Sequence, residues 1–181
     1  AGLEPHAVHK MDHLACFAGG MLALGAHTGA VQGTEAKEHM RMAAELTATC
    51  NKMYDQQASG ISPEFVVFPG QSSIQIGNAD FYILRPETVE SMFYMWRITH
   101  EQKYRDWAWR IFQAIDKHCR SPHGYSSIRN VNSESPQKYG KMESFFLAET
   151  LKYLYLIFSD DDLVPLDQYV FNTEAHPLRV W

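Results

Sequence analysis

Two stretches constrain what this 181-residue chain can fold into. "ETVESMFYMW" (87–96) and "ETLKYLYLIF" (149–158) each open on Glu-Thr and then run apolar almost all the way round a helix. A helix that is apolar on every side must be buried on every side. Such helices need other elements around them, and the chain supplies more amphipathic ones. Thr34 to Asp55 reads as a helix with Thr34 as its N-cap and with Met40, Ala43, Ala44, Leu46 and Cys50 at near-helical spacing. Lys103 to Cys119 places Tyr104, Trp107, Ile111, Ala114 and Ile115 on one stripe. His13 to Leu24 (HLACFAGGMLAL) is small and apolar throughout, which suits a buried helix. The fifth helix spans about Met142 to Phe158 and stops at "SDDD".

Alternation of buried and half-buried helices predicts an inner and an outer layer. The fold expected is all-α, an α/α toroid in which inner helices surround an axis and present their starts at one end; an ordinary helical bundle is the alternative. Five helices make a poor closed ring, so this reading expects further inner helices before Ala1. Pro86 suits the first turn of the third helix, where its missing N–H has no intrahelical partner, and Glu87 and Glu90 favour the positive end of its dipole. Between the second and third helices lies a loop rich in Gly and Pro, with "FVVF" as a candidate short strand.

Other classes fall away on composition. The net charge is -5, with Lys and Arg scattered, which argues against a nucleic-acid or anionic-membrane surface. No apolar run approaches the roughly 20 residues that span a bilayer, and Ala1 to Lys10 lacks a signal-peptide core. Cys16, Cys50 and Cys119 show no zinc-ligand spacing. Their count leaves open one bridge with a free thiol, or three free thiols.

If the inner helices converge, Glu87 and Glu149 meet near one end of the axis, with Arg85 beside the first and His13 able to join them. Two acids and a basic residue around a cavity suit glycoside hydrolysis, where one carboxylic acid protonates the leaving oxygen and one carboxylate activates water or attacks. The bland reading is that a Glu in a first helical turn serves capping and dipole. The terminal "NTEAHP", set between Tyr169-Val170-Phe171 and Leu178 to Trp181, offers oxygen ligands from Thr173 and Glu174. Calcium takes six to eight such oxygens, but nothing here matches an EF-hand, and a turn between two closing strands explains the same residues.

"MDHLACFAGGMLALGA", "ILRPETVESMFYMWR", "SFFLAETLKYLYLIFSDDD" and "VFNTEAHP" together resemble class I α-mannosidases, glycoside hydrolase family 47. The resemblance runs from about residue 8 to the C-terminus. It implies an (α/α)7 barrel of which residues 1–181 form the C-terminal part of a single catalytic domain, closed by a C-terminal β-hairpin. It implies calcium-dependent, inverting hydrolysis of terminal α-1,2-linked mannose from high-mannose N-glycans, in the endoplasmic reticulum or Golgi lumen. The partners implied are the glycan and the upstream part of the same domain. This segment itself is expected to touch neither membrane nor nucleic acid, the family's membrane anchor lying N-terminal to it.

Carried over by motif, Glu87 of "RPE" resembles the general base acting on the nucleophilic water, and Arg85 a substrate-pocket residue. Phe145 of "SFF" resembles the aromatic floor under the terminal mannose. Glu149 of "AET" and Glu174 of "NTEAHP" resemble pocket carboxylates, Thr173 the direct protein ligand of Ca2+, and His13 of "MDHL" another pocket residue. Cys16 and Cys50 match the family's disulfide, leaving Cys119 free. The family's general acid comes from a motif before residue 1, so these residues alone are expected to be inactive. Two other readings share the fold: a degradation-associated mannosidase homologue, and a high-mannose-binding lectin without catalysis. A purely structural helical repeat is the third. "ISPEFVVFPGQSSIQIGNADF" is expected to shape the outer cleft.

Overall fold

The computed structural model describes residues 9–70 and 73–181. Its helices are α1 (Phe17–His27), α2 (Gly33–Asp55), α3 (Glu87–Thr99), α4 (Lys103–Cys119) and α5 (Lys152–Phe158). A 3-10 turn (His13–Cys16) leads into α1, and a π-helical turn (Phe146–Leu151) leads into α5. The row α1–α3–α5 is contiguous; α2 packs on α1 and α3, and α4 packs on α3 and α5. The expected row of inner helices corresponds to α1–α3–α5, with α2 and α4 packed on it. The expectation that α5 is buried on every side is corrected: Tyr155 and Phe158 are exposed. α3 sits at the centre and buries ten of its thirteen residues, Glu87 to Thr88–Val89 and Ser91 to Arg97.

The close packing of α1 rests on two glycines. A Cβ on Gly19 would lie 2.5 Å from Thr47 Oγ1, and one on Gly20 would lie 2.6 Å from Tyr94 Cδ2 and 3.2 Å from Ser91 Cα. The approach also lets the Gly20 N–H donate to Ser91 Oγ at 2.7 Å. Only Gly19, Gly20 and Ala23 of α1 are buried, whereas Phe17 and Met21 stand about half exposed. The expectation of a helix buried all round is thus corrected: one face packs through its small residues and the other lines an opening.

Three other expectations change. Thr34 does not cap α2; the helix starts at Gly33 after an extended Gln32, with no side-chain cap bond. Gly33 has φ +64°, a left-handed conformation open to glycine, and so the turn is made one residue earlier than the Thr signal suggests. Pro86 occupies the N-cap of α3 and not its first turn. The segment before α5 is π-helical over Phe146–Leu151, a local widening that periodicity does not reveal.

"FVVF" lies in a three-stranded antiparallel sheet of β1 (Lys10–Asp12), β2 (Phe65–Gly70) and β3 (Ser73–Ile76), in the order β1-β2-β3. Two residues of the expected outer-cleft loop, Gln71 and Ser72, lie outside the described residues. A short ribbon of β4 (Arg120–Ser121) and β5 (Gly124–Tyr125) follows α4. β6 (Tyr169–Phe171) and β7 (Pro177–Arg179) make the C-terminal hairpin, pairing Val170 with Leu178. Phe171 packs edge-on against Phe93 of α3, ring centroids 5.5 Å apart, and so anchors the hairpin to the core. Cys16 and Cys50 are bonded, with Cα atoms 5.9 Å apart, and Cys119 is free and buried. Among the described residues no helix is long and apolar enough to cross a membrane.

Candidate active site

A cavity of about 450 Å3 opens where the inner row meets the hairpin. Leu14, Phe17, Met21 and Leu24 form one wall. α3 contributes Glu87, Glu90 and Tyr94, the π-helical turn Glu149, and the hairpin Phe171, Asn172 and Thr173. The two Glu-Thr helix starts therefore do converge. Each Thr also braces a neighbour: Thr88 Oγ1 lies 3.2 Å from His13 Nε2, and Thr150 Oγ1 donates to the Leu84 carbonyl at 2.7 Å. Leu84 is fully buried with φ +69°. A left-handed conformation is costly for leucine, and it turns the chain into "RPE" at the lip of the cavity.

Glu87 is the most heavily supported acid. His13 Nδ1–H donates to its Oε2 at 2.7 Å, and Arg85 Nη1 lies 3.5 Å from Oε1. Arg85 is itself held by an ion pair with Glu64. Burial alone would raise the Glu87 pKa, but the His13 hydrogen bond and charge, with Arg85, outweigh it and hold the carboxyl below its ordinary range. Glu87 is thus kept ionised although its side chain is largely buried. Glu149 goes the other way: burial, then the nearby Glu174 and Glu87 carboxylates, push it up to about 7. Glu90 is likewise pushed up to about 7, chiefly by burial and further by Glu87 and Glu149. Tyr153 Oη–H donates to Glu90 at 3.2 Å.

The hairpin turn is built to present Thr173. Asn172 Oδ1 accepts from the Glu174 and His176 backbone N–H groups at 3.0 and 2.9 Å. Lys152 Nζ donates to the Ala175 carbonyl at 2.7 Å, tying the turn to α5. Ala175 is fully buried while Thr173 and Glu174 are exposed, so the turn is pinned behind and open in front.

Of the residues singled out from sequence, Glu87, Glu149 and Thr173 line the cavity. His13 and Arg85 stand behind Glu87 as its partners, and Glu174 reaches Glu149 from the hairpin. Phe145 is not among the lining residues; it is half-buried at the N-terminal edge of the π-helical turn. Glu90 lines the cavity and was seen in the sequence only as a dipole residue. Its signal was its position three residues after Glu87, which puts both acids on one helix face. Glu64 was missed altogether, because nothing local links it to Arg85 twenty-one residues away.

Among the described residues no three acids, cysteines or histidines sit close enough to hold a metal by themselves. The donor set nonetheless suits a hard cation. Thr173 offers hydroxyl and carbonyl oxygens at the rim of a cavity whose acids repel one another's charge. Few protein ligands leave coordination positions for water or substrate oxygens.

A pocket holding carboxyls with opposed proton affinities is compatible with acid–base chemistry. The chain belongs to glycosyl hydrolase family 47, whose family model matches residues 2–180. It is 51% identical over 174 residues to mannosyl-oligosaccharide alpha-1,2-mannosidase IA of Drosophila melanogaster, a match covering 95% of this chain and 26% of that protein. It is 51% identical over 181 residues to the human endoplasmic reticulum mannosyl-oligosaccharide 1,2-alpha-mannosidase, covering 95% and 25%. The fold superimposes on alpha-1,2-mannosidase from Trichoderma reesei with a TM-score of 0.84 and 34% identity, covering 96% of this chain and 40% of that one. The chain thus spans about a quarter of the length of the curated relatives it matches.

Proposed function

We propose that this chain supplies the base-bearing side of an enzyme that removes terminal α-1,2-linked mannose from high-mannose N-glycans by calcium-dependent, inverting hydrolysis. The observation that carries the reading is Glu87, a nearly buried carboxylate kept ionised by His13 and Arg85 at the wall of an acid-lined cavity. In this role Glu87 takes a proton from a water that attacks the anomeric carbon from the face opposite the leaving group. His13 and Arg85 fix its orientation and ionisation beforehand, so the geometry is set when substrate arrives. Glu90 and Glu149, holding protons up to about pH 7, accept or donate hydrogen bonds to sugar hydroxyls according to pH. Calcium at Thr173, when bound, supplies Lewis-acid coordination that orients sugar hydroxyls. The apolar wall of Leu14, Phe17 and Met21 excludes bulk water from one side of the ring.

Inversion requires a partner acid about 6.5–9.5 Å from the base to protonate the leaving oxygen. No such acid is assigned within these residues; the reading places it in the upstream part of the domain, which would also complete the toroid that the hairpin closes. The Cys16–Cys50 bond fits an oxidising secretory lumen.

The test is mannose release from a high-mannose N-glycan by the complete polypeptide containing this chain, with calcium and with a chelator. Calcium-dependent release of α-1,2-linked mannose with inverted anomeric configuration, reduced at least about 100-fold by Glu87→Gln, is the expected result. Tight glycan binding without release would favour the lectin reading, and retention of configuration would remove Glu87 from the role of base.

A further inference from the structure

Behind Glu87 lies a second layer of hydrogen bonding that the reaction as read above does not use. His13 Nε2, the ring nitrogen turned away from Glu87, lies 2.7 Å from Tyr54 Oη. The Tyr54 ring is fully buried, edge-on to the imidazole, with centroids 5.7 Å apart. Its other neighbour is Tyr82, also edge-on at 6.3 Å, whose hydroxyl donates to the Arg85 carbonyl at 3.3 Å. The contacts thus close a circuit from Glu87 through His13, Tyr54 and Tyr82 back to the "RPE" segment. Burial, then the Glu87 charge, raises the Tyr54 pKa, so the hydroxyl keeps its proton. The elements that carry His13 and Tyr54 are also joined by the Cys16–Cys50 disulfide. Cys16 closes the 3-10 turn that begins at His13, and Cys50 sits one helical turn before Tyr54 on α2.

We infer that Tyr54 is a positioning residue for the base, acting through His13, and that the Cys16–Cys50 bond fixes the spacing this contact needs. An imidazole presents Nδ1–H to a carboxylate reliably only when its other nitrogen is engaged. With Nε2 accepting from the Tyr54 hydroxyl, the proton is confined to Nδ1 and faces Glu87. With both nitrogens protonated, the Tyr54 oxygen accepts from Nε2–H while Nδ1–H still faces Glu87. In either state loss of the hydroxyl weakens the support of ionised Glu87, so the direction of the effect is the same. Thr88, at 3.2 Å from the same nitrogen, is a longer and weaker substitute. The charged and titratable groups facing Glu87 are His13, Arg85, Glu90 and Glu149, with Glu64 behind Arg85.

This inference rests on Glu87 being the base, and the experiment separates the two. In the complete, calcium-loaded polypeptide, kcat, KM and the pH profile of kcat/KM are measured for Tyr54→Phe, His13→Asn, the double variant and Glu87→Gln. Tyr54→Phe is expected to lower kcat about 10- to 100-fold, the range for losing a hydrogen bond to a charged or charge-bearing group, and to change KM less than about twofold. The acidic limb of its pH profile moves to higher pH. In the His13→Asn background the same change costs less than about threefold, because its route to Glu87 is gone. An equal cost in both backgrounds, or an unmoved acidic limb, overturns the inference and leaves Tyr54 as core packing. Activity retained by Glu87→Gln refutes the base itself, whatever Tyr54 does. Should Tyr54→Phe not fold, the imidazole 15N spectrum of the wild type decides: His13 with Nδ1 protonated supports the inference, and a neutral ring with only Nε2 protonated overturns it.

Discussion

Glu90→Gln should make the calcium-free protein more stable and the enzyme worse. Glu90 is a mostly buried carboxyl whose pKa is pushed up to about 7, first by burial and then by the charges of Glu87 and Glu149, and is partly relieved by the Tyr153 hydroxyl. A raised carboxyl pKa means that the folded protein binds more protons than the unfolded chain between pH 4.5 and about 7. Stability therefore falls as pH rises through that window. A move from 4.5 to about 7 corresponds to about 3 kcal/mol at full ionisation, an upper figure because water and counter-ions relax around the site. Gln has the same shape, keeps an oxygen for Tyr153 Oη–H, and carries no charge at any pH.

The assay is urea unfolding of the complete, calcium-free polypeptide from pH 5 to pH 9. At pH 5 the gap should be only about 1 kcal/mol, since Glu90 is still protonated in the folded protein although its unfolded counterpart is already mostly ionised. By pH 8 the variant should be more stable by about 1–3 kcal/mol. Added calcium should narrow the gap, because a bound cation rewards the ionised form that only the wild type has. Parallel pH curves for the two proteins would refute the assignment of an ionisation cost to Glu90. A gap that is already full at pH 5 would instead mean that packing, and not charge, separates them.

Two further changes probe the frame. Gly20→Ala sets about 1–3 kcal/mol of overpacking against about 1 kcal/mol of helix propensity, and the nearby Ser91 Cα at 3.2 Å cannot swing aside. A net loss of about 1–2 kcal/mol in denaturant unfolding is expected. Gly25→Ala in the same helix meets nothing within 4 Å and should gain about 0.5–1 kcal/mol; equal effects at the two sites would sink the packing account of α1. Cys119 is buried and its thiol pushed up to about 12 by that burial, so thiol reagents at pH 7 should modify it only after unfolding. Rapid labelling of the native protein would contradict its placement.

The helices could be read from the sequence because each burial pattern is local. α4 runs over the very residues that its stripe predicts, Lys103–Cys119, since Tyr104, Ile111 and Ile115 recur at helical spacing and are all buried. The C-terminal hairpin was legible for a similar reason, as two apolar pieces flank a polar turn. The sheet of β1, β2 and β3 was only one-third visible. Its outer strands, three and four residues long, are held by pairing with "FVVF" more than by any period of their own. Thr34 failed as a cap because Gly33 could take the left-handed turn first.

The site divides along the same physical line. Glu87 and Glu149 were readable because each opens an otherwise apolar helix with a carboxylate, although a dipole preference explains the same residues. Tyr54, Glu64 and Tyr82 were not, because each looks like an ordinary aromatic or surface acid until the fold carries it across to His13 or Arg85. Several local rules break here. A buried leucine takes φ +69°, a helix widens into a π-turn, and two carboxyls hold protons near neutral pH. None of these helps the chain to fold, and the first and last oppose it. Departures of this kind beside a cavity are where strain kept for chemistry is expected. Relieving it one residue at a time, beginning with Glu90, should therefore raise stability and lower turnover together, whereas relief elsewhere in the frame, as at Gly25, should raise stability alone.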